Sequence, residues 1–250
     1  MPATDITKRV YRPSALVGQL YAAVYGSNAP LVPIGNVLEL EIEYTEDVQK
    51  QEDMTRLGGG THAEIRRVTD VGFKAKLADV NVANLARAVL GTVDPQNAGQ
   101  VQDKEYTIKK GSLIALPHVS VSNLVVKKGG QAVAAAGNYE LRPEGLWIFD
   151  TATGVADDDS ISISYDYADQ VVIEHLTAKT AELCLRFGGL NEADSGKPEV
   201  VDMWRASQGV TKRLTLIKKG FGAIDIDGTL LQDPSRQGVG ISRFMRTTLV

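Results

Sequence analysis

The sequence has little of what disulfide-bonded, metal-binding or membrane-spanning proteins require. It has one cysteine, Cys184, which excludes a disulfide within the chain, and three widely separated histidines without ligand spacing. No apolar run approaches the length of about 18 residues that spans a bilayer, and the first residues show no signal-peptide pattern. We therefore expect a protein of a reducing cytoplasm, with no cofactor, no metal and no membrane embedding.

The chain also lacks an excess of positive charge. Its 27 Lys and Arg residues stand against 31 Asp and Glu residues, which gives a formal net charge of −4. Tight electrostatic binding to nucleic acid needs basic patches that displace counterions, so we do not expect it here. Passive contact with DNA stays open. The hydrophobic fraction of 43% is enough for a packed core.

One short motif resembles a catalytic one. Residues 224–231 read Ile-Asp-Ile-Asp-Gly-Thr-Leu-Leu, which is similar to the start of the active site of haloacid-dehalogenase-type phosphatases. That resemblance implies Asp225 as the nucleophile and Asp227 as the acid/base. Such a site also needs a following helix, a Ser or Thr, a Lys and further carboxylates, and the short remainder contains Pro234 and further glycines. We therefore predict a β-turn between edge strands and no enzyme, with a phosphatase as an alternative.

Alternating apolar and polar residues predict long strands. Residues 37–45 place Leu38, Leu40, Ile42 and Tyr44 on one face and an acidic row on the other. The acidic row consists of Glu39, Glu41 and Glu43. Residues 63–79 alternate in the same way, and residues 81–90 predict one helix that Asn81 or Asp79 caps and Gly91 ends.

Two polar segments, 46–62 and 188–199, predict long exposed loops. Such loops are costly in a compact domain unless they contact something, so we assign them to contacts between subunits. The candidate contact residues are Gln51, Asp53, Arg56, Asn191 and Glu192. Farther along, residues 212–218 and 221–226 predict a hairpin across Lys219-Gly220.

Composition divides the chain into three parts. Residues 1–35 contain four prolines around a short apolar stretch and predict an extended arm with room for one helical turn. Turn signals separate short strand-like runs between 101 and 170, which predicts an inserted, small immunoglobulin-like β-sandwich. Residues 36–100 and 171–250 then form one discontinuous β domain. The predicted fold is mainly β.

Several passages together resemble the major tail tube proteins of long-tailed bacteriophages. They are Ile34-Gly35-Asn36-Val37, the strand-then-helix passage 73–91, Leu185-Arg186-Phe187-Gly188-Gly189-Leu190-Asn191, residues 196–202 and the closing runs 216–224 and 228–233. The resemblance implies a tail-tube-type β-sandwich or barrel with one flanking helix. It further implies that the subunits form rings, hexameric by analogy, and that the rings stack into a hollow tube in the virion tail.

The same resemblance implies the partners. They are other copies of the chain, the tape measure and terminator proteins, and double-stranded DNA as passing cargo. We assign the lumen to Glu39, Glu41 and Glu43, because an acidic band repels phosphates and lets DNA slide; an outer solvated face is the alternative. Other tail components of related fold, such as a tail completion protein or a baseplate hub, are alternatives for the function.

Overall fold

The computed structural model describes residues 13–249 and confirms a mainly β protein with antiparallel sheets and, among those residues, a single α-helix. The first half contains β1 (Leu16–Val24), β2 (Val32–Pro33), β3 (Val37–Glu52), β4 (Thr61–Leu77), α1 (Val82–Ala88), β5 (Thr92–Gln96), β6 (Gly99–Thr107), β7 (Leu113–Ala115) and β8 (Ser122–Lys128). The second half contains β9 (Gln131–Ala132), β10 (Tyr139–Arg142), β11 (Gly145–Ile148), β12 (Ser160–Tyr167), β13 (Gln170–Glu174), β14 (Glu182–Asn191), β15 (Lys197–Gln208), β16 (Ile224–Leu230) and β17 (Met245–Leu249).

The described chain divides into two compact units. The larger unit comprises the described residues up to Thr92 and those from His175 onward, and the smaller unit is Val93–Glu174. The predicted insertion, 101–170, lies inside the smaller unit. The extra residues at its two ends include most of β5 and β13, which pair with each other as a two-stranded ribbon.

The larger unit is built on one eight-stranded antiparallel sheet. Its order is β2-β1-β14-β15-β16-β4-β3, with β17 paired beside β16 on the same side of β15. The largest fully buried core side chains come from four different strands: Leu20, Leu77, Met203, Ile224 and Leu230. The end strands β2 and β3 do not pair with each other, so the described strands do not close into the barrel that the resemblance allowed.

The N-terminal arm with a helical turn is a wrong prediction for the residues that the structure describes. Residues 16–24 form β1, which pairs with β14 from Leu16 opposite Asn191 to Val24 opposite Leu183. Leu20 and Ala22 are buried in the core of the larger unit. Non-local pairing therefore decides this segment over its proline-rich flanks. Residues 1–12 of the predicted arm lie outside the described residues.

The two predicted loops are mostly strand. Residues 46–52 and 61–70 continue β3 and β4 as a ladder of antiparallel pairs, so only 53–60 form the turn. We call residues 45–70 the hairpin arm. In the same way β14 continues to Asn191, a short 3-10 helix covers Glu192–Asp194, and β15 begins at Lys197. Alternation between polar residues on both faces does not reveal such strands, because neither face is buried.

The predicted helix is present but shorter. Asn81 is its N-cap, and its side-chain oxygen accepts a hydrogen bond of 2.8 Å from the backbone N–H of Asn84. The buried face carries Asn84, Ala86 and Ala88, whereas Val82 is exposed. The amide of Asn84 donates to the carbonyl of Ile34 at 2.7 Å, which ties the helix to the segment before β3.

The smaller unit has its own core between two sheets. One sheet has the order β10-β11-β7 and the other β6-β12-β8-β9. Their inward side chains form a single cluster, in which Leu146, Ile148, Ile161, Ile163 and Tyr165 are almost completely buried. The strands lie close to the predicted runs, because the apolar alternation of β12 matches its buried and half-buried pattern.

The predicted hairpin of residues 212–218 and 221–226 is wrong in its first strand. Residues 209–223 have no regular secondary structure, and only residues from Ile224 onward form a strand. β16 pairs instead with β4 and β15. We call residues 209–223 the basic loop, because they contain four Lys and Arg residues and no acidic residue.

Candidate functional site

The hairpin arm leaves the body of the larger unit without packing on its core. A shift of register between Thr45 and Glu46 marks its base, which is typical of a β-bulge. Along residues 45–70 every side chain except the half-buried Asp53 is exposed, including the apolar Val48, Ile65 and Val68. The turn adds Met54 and Leu57, both more than four-fifths exposed.

Ion pairs between exposed side chains, rather than buried apolar contacts, connect the two strands of the hairpin arm. Arg66 contacts Glu64 and Glu46, with a distance of 3.4 Å to the latter, and Lys50 lies 3.6 Å from Glu64. The hydrogen bond to Arg66 is the main reason why the pKa of Glu64 lies below its ordinary value. Exposed ion pairs each stabilise a fold by at most about 1 kcal/mol. An isolated two-stranded hairpin is marginal in water, so the arm is suited to packing on another surface.

The basic loop exposes cations and apolar groups side by side. Its cations are Lys212, Arg213, Lys218 and Lys219. Three large apolar side chains lie among them, each at least 86% exposed: Leu216, Ile217 and Phe221. Hydrogen bonds anchor the beginning of the loop, from Gly209 N–H to the carbonyl of Asp227 at 2.8 Å and from Thr211 N–H to that of Ala88 at 2.7 Å.

An apolar groove opens on the core side of β3. Its volume is about 490 Å³, and its walls come from β1, β3, β14, β15 and β17. The apolar side chains that define it are Leu16, Val17, Leu38, Phe187, Val201 and Met245. Leu16, Val17 and Leu38 are exposed there, and the one charged lining residue among the described residues is Glu39.

The acidic row of β3 belongs to a ladder of alternating charge. On the face of the sheet away from the core, the two lysines of β4 lie between carboxylates of β3 and carboxylates of β16. The opposed pairs are Glu39–Lys76 and Glu41–Lys74 on one side, and Asp225–Lys76 and Asp227–Lys74 on the other. Opposite charges at such positions stabilise a sheet by roughly 0.2–1 kcal/mol for each pair. The row is therefore partly neutralised by its own sheet.

The neighbouring carboxylates raise the pKa of Lys74 above its ordinary value. The hydrogen bond from its ammonium group to Glu43 is the main cause that raises the pKa, against a smaller opposing effect of burial. The charges of Glu43, Glu41 and Asp227 raise it further. The cation of Lys74 is accordingly favoured, and it donates a hydrogen bond to Glu43 on the neighbouring strand β3.

The structure gives the Asp-x-Asp-Gly-Thr motif a packing role. Asp225 and Asp227 are residues of β16, and the Lys212 ammonium group lies 2.6 Å from the Asp227 carboxylate. Gly228 continues the strand, where an added Cβ would lie 2.3 Å from the carbonyl oxygen of Ser207 and 2.6 Å from the ring of Phe73. The predicted β-turn at this place is therefore wrong, and the glycine allows two strands to approach. Among residues 13–249 no three potential ligands of the His, Cys, Asp and Glu types converge on a metal position.

The predicted contact residues occupy different settings. Gln51 is exposed on β3, opposite Ala63, and Arg56 pairs with Asp53 at 3.3 Å within the turn of the hairpin arm. Hydrogen bonds to Thr55 hold the pKa of Asp53 below its ordinary value.

Asn191 has a structural role within its own chain. Its side-chain oxygen accepts hydrogen bonds from Ala15 N–H at 3.0 Å and Ala193 N–H at 3.2 Å, and its amide donates to the carbonyl of Pro13 at 3.1 Å. Its neighbour Glu192 is exposed. Sequence reasoning missed Leu216, Ile217 and Phe221, for which the mixture of apolar residues and lysines between two glycines was the available signal.

The fold defines a class before any relative is considered: a mainly β protein with one open sheet and a smaller β unit inserted in sequence. The family described as "Protein of unknown function UCP028589" matches residues 13–248, so the chain belongs to that family. A comparison with curated proteins gives no match. No helix within residues 13–249 is long and apolar enough to cross a membrane.

Proposed function

We propose that this protein is a structural subunit that assembles with its own copies into a hollow tube, in the role of a major tail tube protein of a long-tailed bacteriophage. Rings of the subunit, six to a ring by analogy, would stack around a lumen through which double-stranded DNA passes. Tape measure and terminator proteins would be its further partners, and the virion tail its place of action. The proposal rests on the sequence resemblance and on the surfaces of the larger unit.

The observation that carries the proposal is the position of the most exposed apolar side chains. Among residues 13–249 six large ones are more than four-fifths exposed, and all six belong to the larger unit: Met54, Leu57, Leu216, Ile217, Phe221 and Val239. Soluble monomers rarely hold several such groups in one unit, and concentrated exposure of this kind marks interaction surfaces. A subunit that is buried among its copies provides the missing contacts.

The end strand β3 supports association through the sheet. It is 16 residues long and pairs with β4 alone among the described strands, so its second edge is open. Open edges favour pairing with another chain unless charges oppose it. A ring in which every subunit covers its neighbour's edge removes this liability for all copies at once.

The charge ladder suits a surface along which DNA slides. Five carboxylates on this face, three on β3 and two on β16, surround Lys74 and Lys76. A mixed face with a small excess of negative charge stays hydrated and offers no continuous basic stripe to phosphates. We keep Glu39, Glu41 and Glu43 as the candidate lumen residues, now with the lysines that accompany them.

We propose no catalytic role for Asp225 and Asp227, because their side chains lie opposite Lys76 and Lys74 in the charge ladder. Magnesium-dependent phosphate release from a generic ester, lost on changing both to Asn, would overturn this part of the account.

Negative-stain electron microscopy of the concentrated protein tests the function. Stacked rings or hollow tubes are the expected result. Single rings that never stack would favour a tail completion or hub role, and particles of one chain at every concentration would contradict self-assembly.

A further inference from the structure

The apolar groove of the larger unit has the size and surface of a binding site. Its volume of about 490 Å³ lies within the range of roughly 300–1,000 Å³ that small binding pockets have. Leu16, Val17 and Leu38 line it and are exposed, with Leu38 at 59%. Apolar walls of this extent favour an apolar occupant, because contact removes them from water.

The basic loop has the matching surface. It presents Leu216, Ile217 and Phe221 at almost full exposure, so they do not occupy the groove of their own chain. At 15 residues without regular structure, the loop has a length that is uncommon in compact domains and usually serves binding. The loop combines these three apolar side chains with four cations and no acidic residue.

Charge complementarity connects the two surfaces. The groove's one charged lining residue among the described residues is acidic, Glu39. The loop carries four cations and no carboxylate, and Lys218 and Lys219 directly follow Leu216 and Ile217. Apolar side chains in the groove would thus bring the lysines toward Glu39, where opposite charges select the partner and its orientation.

We propose that the basic loop of one copy docks into the apolar groove of a second copy, with Leu216, Ile217 and Phe221 against Leu16, Val17 and Leu38. This inference rests on the proposed function, since it specifies one contact of the assembly. Because the donor surface and the receptor surface differ, the contact is heterologous, and repeating it generates rings or open filaments.

Crosslinking between two separately purified variants tests the contact. In a Cys184→Ser background, one variant carries Ile217→Cys or Phe221→Cys, and the other carries Val17→Cys or Leu38→Cys. The introduced serine hydroxyl can keep the bond that the Cys184 thiol donates to the carbonyl of Trp204, 3.0 Å away. A disulfide forms only when the two Cβ atoms come within about 4.5 Å, and in a mixture of single-cysteine chains it is necessarily intermolecular.

We expect mixed disulfide dimers from a loop cysteine and a groove cysteine under mild oxidation. Ile217→Cys mixed with Val119→Cys is the matched control, because Val119 is 58% exposed but belongs to the smaller unit. Its yield should be at least tenfold lower. Equal yields in both mixtures would overturn the proposal.

Two further outcomes separate this inference from the proposed function. Rings or tubes that form without any loop–groove disulfide would overturn the docking and leave the tube intact, whereas the absence of any assembly would overturn both. A single chain that carries both Tyr11→Cys and Leu38→Cys gives the competing result: an intrachain disulfide there, with no loop–groove disulfide in the mixtures, would assign the groove to the chain's own first residues.

Substitutions that leave the body intact give an independent readout. Ile217→Ser with Phe221→Ser should raise the protein concentration at which assembly begins at least tenfold. Lys218→Glu with Lys219→Glu should have an effect of the same direction that shrinks as salt rises. An unchanged assembly concentration in both variants would contradict the proposal.

Discussion

The larger and the smaller unit differ in what they leave on their surfaces. The smaller unit buries its core between its own sheets, and its most exposed large apolar side chain, Val119, is only 58% exposed. In the part of the chain that the structure describes, the larger unit carries all six large apolar side chains that exceed four-fifths exposure, on the hairpin arm, on the basic loop and at Val239. The smaller unit is complete as a separate body, whereas the larger unit has surfaces that a partner would complete.

Charge separates the two units in the same way. Residues 93–174 contain 12 acidic and 6 basic residues, whereas the rest of the chain contains 19 acidic and 21 basic ones. An acidic, self-contained unit resists association by like-charge repulsion, and a nearly balanced one does not. On this comparison we propose that assembly occurs through the larger unit and that the smaller unit stays solvated.

The largest expected effect comes from the hairpin arm. Met54→Ser with Leu57→Ser should raise the concentration at which assembly begins at least tenfold, because both side chains are free to contact a second copy. The free energy of unfolding should change by less than about 0.5 kcal/mol, as for other surface substitutions. Sedimentation and urea unfolding measure the two quantities, and Val119→Ser in the smaller unit is the control. An equal effect of the control on assembly would contradict the proposal that the larger unit makes the assembly contacts.

Core substitutions should act on one unit at a time. Leu77→Ala and Leu146→Ala each remove a side chain with 0% exposure and should each cost about 2–5 kcal/mol. The first should destabilise only the larger unit and the second only the smaller. Fluorescence separates the two, because Trp204 lies on β15 and Trp147 on β11. A single transition that both substitutions shift equally would show that the units do not fold separately.

A substitution at Gly228 tests whether the Asp-x-Asp-Gly-Thr motif has a packing role. Gly228→Ala would force a methyl group against the backbone of Ser207 and should destabilise the larger unit by about 1–3 kcal/mol. Gly222→Ala is the matched control, because an added Cβ there meets no atom within 4 Å. Thermal unfolding of both variants gives the difference, and equal stability would contradict the packing role.

The smallest expected effect concerns the charge ladder. Changing Glu39, Glu41 and Glu43 together to Lys places like charges across from Lys74 and Lys76 and should cost roughly 0.2–1 kcal/mol for each opposed pair. The corresponding change to Gln removes charge without repulsion and should cost less. Urea unfolding compares the two triple variants. If the Lys variant is no less stable than the Gln variant, the ladder does not contribute to the sheet.

The sequence predicts strands that have one buried face, because apolar and polar residues alternate along them. It does not predict strands that are exposed on both faces. The core face of β12 and the cap of α1 follow from local patterns that burial and hydrogen bonding reinforce. The outer halves of β3 and β4 have no buried face, so their polar sequence predicts a loop. β1 depends on pairing with β14, from Leu16 with Asn191 to Val24 with Leu183, which is far outside any local stretch of the chain. A short stretch of sequence therefore indicates neither the exposed pairing of β3 with β4 nor the distant pairing of β1 with β14.

The candidate surfaces were predicted only in part. The acidic row of β3 follows directly from period two, but the lysines that neutralise it become visible only when β4 and β16 are placed beside it. The residues 212–218 alternate well enough to predict a strand, and the structure leaves them without a partner strand. Tertiary pairing decides such segments over their local propensity.

Sedimentation velocity on a shortened chain tests the central claim most directly. Residues 97–169 are replaced by a short Gly/Ser linker, which leaves β5 and β13 in place, and the shortened and full chains are compared over rising concentration. If assembly belongs to the larger unit, both chains should form large species at similar concentrations. A shortened chain that remains folded but monomeric, where the full chain assembles, would contradict the assignment of assembly to the larger unit.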